Sequence, residues 1–327
     1  MMVKAIRIHE NGGAEVLKYE DVDPGRPGRG EVLIEHNAIG LNFIDVYYRT
    51  GLYPPPSGSL PMTPGGEGAG KVLEVGEGVE DLKPGDRVAY AAGTGSYAER
   101  RVIAGDRLVK VPDGISDETA AGMMLKGMTA EYLLRRTFKV KKGDTILFHA
   151  AAGGVGLIAG QWAKHLGATT IGTAGSAEKV ELAKAHGFDH VINYREQDFV
   201  EEVKKITGGK LCEVVYDSVG KDTFEGSLNC LKPIGLLALF GASSGPVPPF
   251  NLGVLAQKGS LYITRPTLFT YVASRADLVQ SANALFDVVK SGMVKVEVKQ
   301  RYKLADVAKA HRDLEGRKTT GVTVLVP

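Results

Sequence analysis

The chain has 327 residues, of which 42 are glycine, and its 40 Lys and Arg nearly balance its 38 Asp and Glu, for a formal charge of +2. The length suggests about two domains, and this charge balance gives no reason to expect nucleic acid or an anionic membrane as partner. Two cysteines, Cys212 and Cys230, are too few for a disulfide scaffold or a four-cysteine zinc site, so we expect two buried, reduced thiols. The N-terminus alternates apolar and charged residues, unlike a signal peptide, and the longest apolar stretch is too short to span a membrane. We therefore expect a soluble, cytoplasmic protein.

The N-terminal part, up to about residue 120, favours a small barrel of short strands, because apolar runs alternate with glycine and proline clusters. The predicted strands are Met2–Ile8, Glu31–Ala38, Lys71–Val75, Arg87–Ala91 and Tyr97–Ala104. One amphipathic helix, Phe43–Thr50, interrupts them.

From Lys142 onward, strands alternate with helices, which predicts a parallel, doubly wound α/β sheet. The predicted strands are Thr145–Ala150, Thr169–Ala174, Val191–Asn193, Cys212–Asp217, Leu236–Phe240 and Leu261–Thr264. The predicted helices are Val155–Leu166, Ala177–His186, Phe199–Ile206 and Phe224–Leu231. The tail is expected to return to the first domain with two helices, Leu278–Ser291 and Leu304–Leu314, and two strands, Val294–Arg301 and Gly321–Val326.

The segment Phe148 to Gly156 joins a predicted strand to a predicted helix and has the form of a dinucleotide-binding loop. Gly153 would let the backbone approach a pyrophosphate, and Gly156 would let the helix pack against the strand. The amides at the start of the helix then face the phosphates. Ala151 stands where the first glycine of the usual pattern would be.

The end of the next predicted strand indicates which nicotinamide cofactor binds. An NAD site carries an acidic residue there for the ribose hydroxyls, but this strand ends in Ala174-Gly175-Ser176. Small residues leave room for a phosphate on the ribose, which Ser176 and Lys179 can bind. A shifted register that uses Glu178 as the ribose acid, and a merely solvated Lys179, remain alternatives.

Several segments resemble the zinc-independent, zeta-crystallin-like quinone oxidoreductase branch of the medium-chain dehydrogenase/reductase superfamily. The likeness covers essentially the whole chain. Besides the loop that ends at Gly156, the matching segments are Ala38 to Asp45, Gly51 to Pro56, Val191 to Arg195, Val215 to Gly220 and Gln257 to Pro266. The resemblance implies a GroES-like, mostly β catalytic domain over residues 1–125 and 268–327, a Rossmann NADPH-binding domain over 126–267, and an active site in the cleft between them.

The resemblance also implies the residues that contact NADPH. They are Asn42, Tyr132, Gly153, Gly154, Val155, Gly175, Ser176, Lys179, Tyr194, Ser218, Phe240, Gly241 and Arg317. Glu131 departs from the family, whose members often carry an aromatic residue at that position.

At the positions where the zinc-dependent members of the superfamily hold their metal, this chain has Asn42, Gly66 and Leu125. None of them supplies a thiolate or an imidazole, so we expect no metal. Without a Lewis acid, reduction of an electron-poor acceptor is favoured over alcohol oxidation, because hydride transfer to a quinone needs mainly positioning. The candidate hydrogen-bond donors to the acceptor are Tyr47, Tyr53 and Asn42.

The sequence therefore predicts NADPH-dependent reduction of a quinone. The resemblance further implies a homodimer, in which a second subunit would cover the apolar edge strand Ser260 to Thr264. Reduction of an enone or enal double bond is an alternative. A second alternative is a crystallin-like protein that binds NADPH without turnover, with an RNA-binding patch in the basic run Arg135 to Lys142 as a less favoured reading.

Overall fold

The computed structural model describes residues 2–56 and 58–327. The chain forms two compact units. The first comprises Met1–Lys126, Val272–Phe286 and Val296–Pro327, and the second comprises Gly127–Tyr271 and Asp287–Lys295. The domains implied by the resemblance, 1–125 with 268–327 and 126–267, remain a prediction.

The predicted helices and strands occur in their expected order, and the described residues add two short strands, two short helices and one long helix. Up to that helix the elements are β1 (Val3–Arg7), β2 (Lys18–Val22), β3 (Glu31–Gly40), α1 (Phe43–Thr50), β4 (Glu67–Val75), β5 (Arg87–Ala91), β6 (Arg100–Ala104), β7 (Val109–Lys110) and α2 (Asp117–Tyr132). The next are β8 (Thr145–Phe148), α3 (Gly154–His165), β9 (Thr169–Ala174), α4 (Ala177–Ala185), β10 (His190–Asn193), α5 (Phe199–Ile206), β11 (Cys212–Asp217), α6 (Phe224–Asn229), β12 (Leu231–Leu239), α7 (Gly253–Gln257) and β13 (Tyr262–Thr264). The tail contains α8 (Leu268–Tyr271), α9 (Arg275–Lys290), β14 (Val298–Lys303), α10 (Val307–Glu315) and β15 (Val322–Val326).

The second unit contains a six-stranded sheet in the order β10-β9-β8-β11-β12-β13, and every pair of neighbours is parallel. The order doubles back at β8 and β11, as in a doubly wound fold. The central strands β8, β9 and β11 are largely buried on both faces, and Leu147, Ile171, Val215 and Leu237 lie in one apolar core. The expected fold class is confirmed, and the carboxyl ends of the strands meet at one edge of the sheet.

The first unit is built on a seven-stranded sheet in which β3 pairs with β15, β4 and β6. These pairs are antiparallel, whereas β14 and β15 run parallel at one end of the sheet. Strand β3 leads directly into α1, so the sheet fixes where that helix begins. One apolar core, which includes Ile6, Leu41 and Val307, packs against this region.

Helix α2 was not predicted from the sequence. Its residues include the buried Ala120, Met123, Met124 and Met128, and Gly122 and Gly127 interrupt them. Amphipathic periodicity cannot identify a helix that is apolar on most sides. Strand β12 also begins at Leu231, five residues before the predicted Leu236, although it contains Pro233 and an Ile234 at φ 63°. Among the described residues, no helix combines the length and the apolar character that a membrane span requires.

Candidate functional site

The loop between β8 and α3 has the geometry that a dinucleotide phosphate site needs. Gly153 is the N-cap of α3, and the amides of the first helical turn lack partners within the helix. A Cβ added at Gly156 would lie 2.5 Å from the carbonyl oxygen of Ala151 and 2.6 Å from that of Ala150. Gly156 therefore allows α3 to approach the backbone that follows β8 closely; the sequence predicted such an approach of the helix to the strand.

Ala151, which replaces the first glycine of the usual pattern, is accommodated by a glycine on the neighbouring strand. A Cβ added at Gly172 of β9 would lie 2.6 Å from the Cβ of Ala151. Below the loop, the buried His149 contacts the hydroxyls of Thr173 at 3.0 Å and of Ser227 at 3.0 Å. Burial lowers the pKa of His149, so a neutral imidazole bonds these two hydroxyls.

Four residues expected to contact the cofactor come together where β9 and β10 end. A Cβ added at Gly175 would lie 2.4 Å from the hydroxyl oxygen of Tyr194, so the tyrosine ring covers the glycine. Ser176 is the N-cap of α4, and its hydroxyl oxygen accepts from the Lys179 amide at 3.3 Å. The side chain of Lys179 thus emerges from the first turn of α4, beside Ser176. The strand carries no acidic side chain at this end.

The ends of β11 and β12 place three further residues at the same edge of the sheet. Asp217, at the end of β11, accepts from the amides of Val219 at 2.7 Å and Gly220 at 3.0 Å, which folds the chain tightly around Ser218. A Cβ added at Gly241 would lie 2.5 Å from the carbonyl oxygen of Ser218. Phe240 lies beside Phe148 of β8, with ring centroids 5.6 Å apart.

The residues at the C-terminal end of α2 also lie in the second unit. The buried Tyr132 stacks on Tyr271 at a centroid distance of 4.4 Å. Glu131, the departure from the family, is buried and forms ion pairs with Arg136 at 3.1 Å and Arg135 at 3.7 Å. Two arginines of the basic run considered as an RNA-binding patch are therefore paired with the carboxylate of Glu131 in α2.

The remaining candidate residues lie in the first unit. Asn42 is the N-cap of α1, and Tyr47 lies on that helix. The ring centroids of Tyr47 and Tyr53 are 5.2 Å apart, and the Tyr53 amide donates to the Tyr47 carbonyl at 3.1 Å. The structure thus brings the two predicted phenol donors into contact. Arg317 follows α10, is exposed, and has a φ of 58°.

A buried ion pair stands beside the Asn42 side chain. The side-chain nitrogen of Asn42, Nδ2, donates to Glu67 at 2.8 Å, and the ammonium of Lys126 donates to the same carboxylate oxygen. The other oxygen of Glu67 accepts from the Leu125 amide at 2.6 Å. Among the described residues, no group of three or more His, Cys, Asp or Glu could hold a metal ion. At one of the positions that correspond to zinc ligands, this chain has Asn42, whose side-chain amide is hydrogen-bonded to the buried Glu67–Lys126 ion pair.

The backbone of Asn42 is held from a second buried network. Asp45 accepts from the Asn42 amide at 2.9 Å and from the Tyr97 hydroxyl at 2.8 Å. Tyr97 contacts His311 at 3.0 Å, and the other nitrogen of His311 lies 3.1 Å from Arg49, which can only donate. His311 therefore donates to Tyr97, and Tyr97 donates to Asp45.

The electrostatics of this second network follow from its burial. Desolvation raises the pKa of Asp45 to about 7, although the bonds from Asn42 and Tyr97 oppose the shift. Burial, with the nearby Arg49 charge, lowers the pKa of His311 to about 3. One oxygen of Asp45, Oδ1, is buried without a hydrogen-bond partner among the described residues. Asp45 is therefore poised to be protonated near neutral pH.

Sequence reasoning missed Glu67, Lys126, Asp45 and Asp217 as parts of the site. Two of them carry a signal in hindsight. Glu67 is an acid within the glycine-rich run Gly65 to Gly70, and Lys126 is a lone cation in an otherwise apolar helical segment. A charge among glycines or apolar residues needs a partner, but the sequence does not show which one.

Two family models match the chain. The model described as alcohol dehydrogenase GroES-like domain matches residues 28–113, and the model described as zinc-binding dehydrogenase matches residues 154–282. A quinone oxidoreductase of Pseudomonas aeruginosa is 54% identical over 327 residues, covering 100% of both chains. A 2-haloacrylate reductase of Burkholderia is 46% identical and covers 100% of this chain and 99% of its own.

A solved structure is similar over nearly the same length. It is the crystal structure of Escherichia coli quinone oxidoreductase complexed with NADPH. Its TM-score is 0.96 at 50% sequence identity, with 99% of this chain and 100% of that chain covered. The likeness therefore extends through both units rather than through the nucleotide-binding sheet alone.

Proposed function

Because this chain belongs to the quinone oxidoreductase family of medium-chain dehydrogenases and reductases, we propose that it reduces quinones with NADPH. The observation that carries the proposal is the full-length identity of 54% to a quinone oxidoreductase, combined with a phosphate loop whose glycines permit the required close contacts. When bound, NADPH supplies the hydride. The protein's task is to hold the cofactor and orient the acceptor.

NADPH is held, in this proposal, at the carboxyl edge of the parallel sheet. The first-turn amides of α3, at Gly154 and Val155, face the pyrophosphate. Ser176 and Lys179 bind the phosphate on the ribose, because no acid stands at the end of β9 to claim the ribose hydroxyls. The Ser176 oxygen already accepts from the Lys179 amide, and its own O–H remains a donor that can bind the phosphate.

The remaining cofactor contacts proposed in the second unit are Gly153, Gly175, Tyr194, Ser218, Phe240 and Gly241 at this edge of the sheet, with Tyr132 at the end of α2. Asn42 and Arg317, both in the first unit, are also proposed to contact NADPH. The glycines at 175 and 241 have no room for a side chain. Replacing either of them would displace Tyr194 or Ser218, respectively.

The acceptor's carbonyl oxygen receives hydrogen bonds from Tyr47, Tyr53 and Asn42 as negative charge develops there. Quinones are already electrophilic, so hydrogen bonding and positioning suffice. No metal takes part, because the donor set at positions 42, 66 and 125 is unsuited to zinc. Asn42 is already bonded to Glu67, whose oxygens accept from Asn42, Lys126 and Leu125.

We further propose a homodimer in the cytoplasm. Strand β13 ends the parallel sheet and pairs on only one side, with β12. Exposed apolar side chains gather on this unit, since Tyr262 is 60%, Ile234 67% and Leu252 71% exposed. An exposed, apolar edge strand is a template for pairing with a second copy.

The proposed function is tested by NADPH oxidation with a panel of acceptors. We expect steady turnover with 1,4-benzoquinone and larger quinones, and much slower turnover with enones and 2-haloacrylate. Turnover restricted to the activated double bonds would identify a double-bond reductase instead. NADPH binding without turnover on any acceptor would favour the crystallin-like alternative.

A matched set of variants tests the acceptor contacts. Tyr47→Phe, Tyr53→Phe and Asn42→Ala each remove one donor, and we expect each to lower kcat with benzoquinone roughly tenfold. This loss is smaller than for a donor in a dry oxyanion hole, because a quinone site must admit a flat ring together with water. If all three variants keep wild-type kcat and KM, the three side chains only line the pocket.

A further inference from the structure

The Glu67–Lys126 ion pair lies deep in the first unit, since Lys126 is 5% exposed and Glu67 0%. Removing two charges from water costs several kcal/mol per ion, and an apolar pair of similar volume is often at least as stable. Stability alone therefore gives a weak reason for an ion pair at this position.

The carboxylate of Glu67 determines which way the Asn42 amide is turned. A carboxylate only accepts hydrogen bonds, so the atom of Asn42 that lies 2.8 Å from it must be the side-chain nitrogen. One N–H of that nitrogen donates to Glu67, and its second N–H is the donor that the proposed function assigns to the acceptor. The ammonium of Lys126 holds the same carboxylate oxygen in place. The backbone of Asn42 is fixed separately, through the bond from its amide to Asp45 at 2.9 Å.

The surroundings leave the carboxylate little freedom to move. Gly40 of β3 lies directly opposite Glu67 of β4 in the sheet. A Cβ added at Gly40 would lie 2.2 Å from the carboxylate and 2.5 Å from the carbonyl oxygen of Ala121 in α2. Sheet and helix backbone thus enclose the side chain from two directions.

We propose that Glu67 and Lys126 are positioning residues for the reduction: Glu67 orients the Asn42 amide toward the acceptor, and Lys126 balances the carboxylate charge. The balance matters because the acceptor's oxygen gains negative charge during hydride transfer, and an unpaired carboxylate nearby would oppose it. This inference rests on the proposed function, in which Asn42 contacts the acceptor.

The central test replaces the ion pair with apolar residues, in the double variant Glu67→Leu/Lys126→Met. We expect the midpoint of thermal unfolding to change little, because the cost of burying the charges is removed while the Leu125 amide loses its acceptor. We expect kcat with benzoquinone to fall about tenfold, as in Asn42→Ala, because the amide loses its orientation. The dissociation constant of NADPH is measured in parallel, and the rate is expressed per folded molecule.

A double-mutant cycle then asks whether the pair acts through Asn42. In the Asn42→Ala background, we expect Glu67→Leu/Lys126→Met to lower kcat no further, since residues that act as a unit are not additive. Arg87→Met is the control, because it breaks the Arg87–Asp117 ion pair at the other end of α2. It should lower stability and leave kcat unchanged.

The outcomes separate the inference from the function on which it rests. If Asn42→Ala lowers kcat but the apolar double variant keeps the wild-type rate, the pair is structural and the inference is wrong. Losses that multiply in the triple variant would also overturn it, because the pair would then act independently of Asn42. If Asn42→Ala itself keeps the wild-type rate, the proposed contact between Asn42 and the acceptor is wrong, and the inference that rests on it is wrong as well.

Discussion

Lys179 carries the charge that distinguishes the two nicotinamide cofactors. We expect Lys179→Ala to weaken NADPH binding roughly ten- to a hundredfold, because a charge-assisted bond to phosphate contributes about 1.5–3 kcal/mol. NADH binding should change little, because NADH lacks this phosphate. Titration of both cofactors against the purified variant measures the two losses.

The control for this prediction is Lys184→Ala, on the same helix. Lys184 is exposed and forms an ion pair with Glu181 at 2.9 Å, at the far end of α4. Its removal should leave both cofactors unaffected. Equal losses of NADPH and NADH in Lys179→Ala would show that the lysine supports the fold of the loop rather than the phosphate.

Asp45 makes the stability of the protein depend on pH. Its pKa is about 7 in the folded chain against an ordinary 3.8, so the folded state holds a proton that the unfolded state has released. Stability from this group is therefore greatest at low pH and falls as the pH rises from about 4 to 7. Asn mimics the protonated carboxyl and lacks this dependence.

We therefore compare the free energy of unfolding of Asp45→Asn with that of the wild type. We expect the difference, variant minus wild type, to increase by about 2 kcal/mol from pH 5 to pH 8. His311, with a pKa of about 3 in the folded chain, makes both proteins more stable as the pH rises. This contribution cancels when the free energies of unfolding of the two proteins are subtracted. Urea unfolding at several pH values measures the difference. Asp222→Asn, at an exposed position, is the control, and its free energy of unfolding should differ from the wild type by the same amount at every pH. If the difference for Asp45→Asn is also independent of pH, the prediction is contradicted.

The turn from β8 into α3 depends on one glycine. In Gly156→Ala the new Cβ would meet two backbone carbonyl oxygens at 2.5–2.6 Å, which the loop can relieve only by shifting. We expect a loss of about 1–3 kcal/mol in stability, as for other overpacked sites, together with weaker binding of both NADPH and NADH. Thermal unfolding with and without cofactor measures both effects.

Gly93→Ala is the matched control, because a Cβ there meets nothing within 4 Å and the residue needs no positive φ. It should leave stability and cofactor binding close to the wild type. If Gly156→Ala behaves like Gly93→Ala, the close approach of loop and helix is not what shapes the phosphate site.

The elements that could be predicted from the sequence are those with a clear period or boundary. Strand β11 was predicted with both of its bounds, Cys212 and Asp217, because it is a short apolar run between turns. Helix α1 was predicted at about Phe43 to Thr50 from its amphipathic pattern, and the structure has it over Phe43–Thr50, between Asn42 as N-cap and Gly51 with a φ of 79°. Helix α2 was missed because burial on most sides removes the amphipathic signal.

The site divides in the same way. The phosphate loop is local in sequence, so spacing alone indicates it. The partners of Asn42 are distant in sequence, since Glu67 lies on β4 and Lys126 on α2, and only the pairing of β3 with β4 and the packing of α2 bring them together. The tyrosines at 47 and 53 needed the family resemblance, because neither has a distinctive local pattern.

The molecule as a whole is expected to be a dimer of 34.8 kDa chains. Tyr262→Lys places a charge on the exposed edge strand, which is how edge strands are kept from pairing. We expect light scattering to give twice the chain mass for the wild type and a mass near that of one chain for the variant. Tyr19→Lys, on the exposed strand β2, is the control and should remain dimeric.

A wild-type protein that scatters as a single chain at micromolar concentration would contradict the dimer. A Tyr262→Lys variant that remains dimeric, with wild-type stability, would place the interface elsewhere. Neither result bears on the chemistry, because the residues proposed to bind cofactor and acceptor are all taken from one chain.

The central claim is that this chain reduces quinones with NADPH and without a metal. The most direct test is benzoquinone-dependent oxidation of NADPH by protein that has been treated with a chelator and whose metal content has been measured. We predict undiminished turnover with well under one zinc per chain, and faster turnover with NADPH than with NADH. Stoichiometric zinc whose removal abolishes turnover, or no quinone-dependent oxidation at all, would contradict the account.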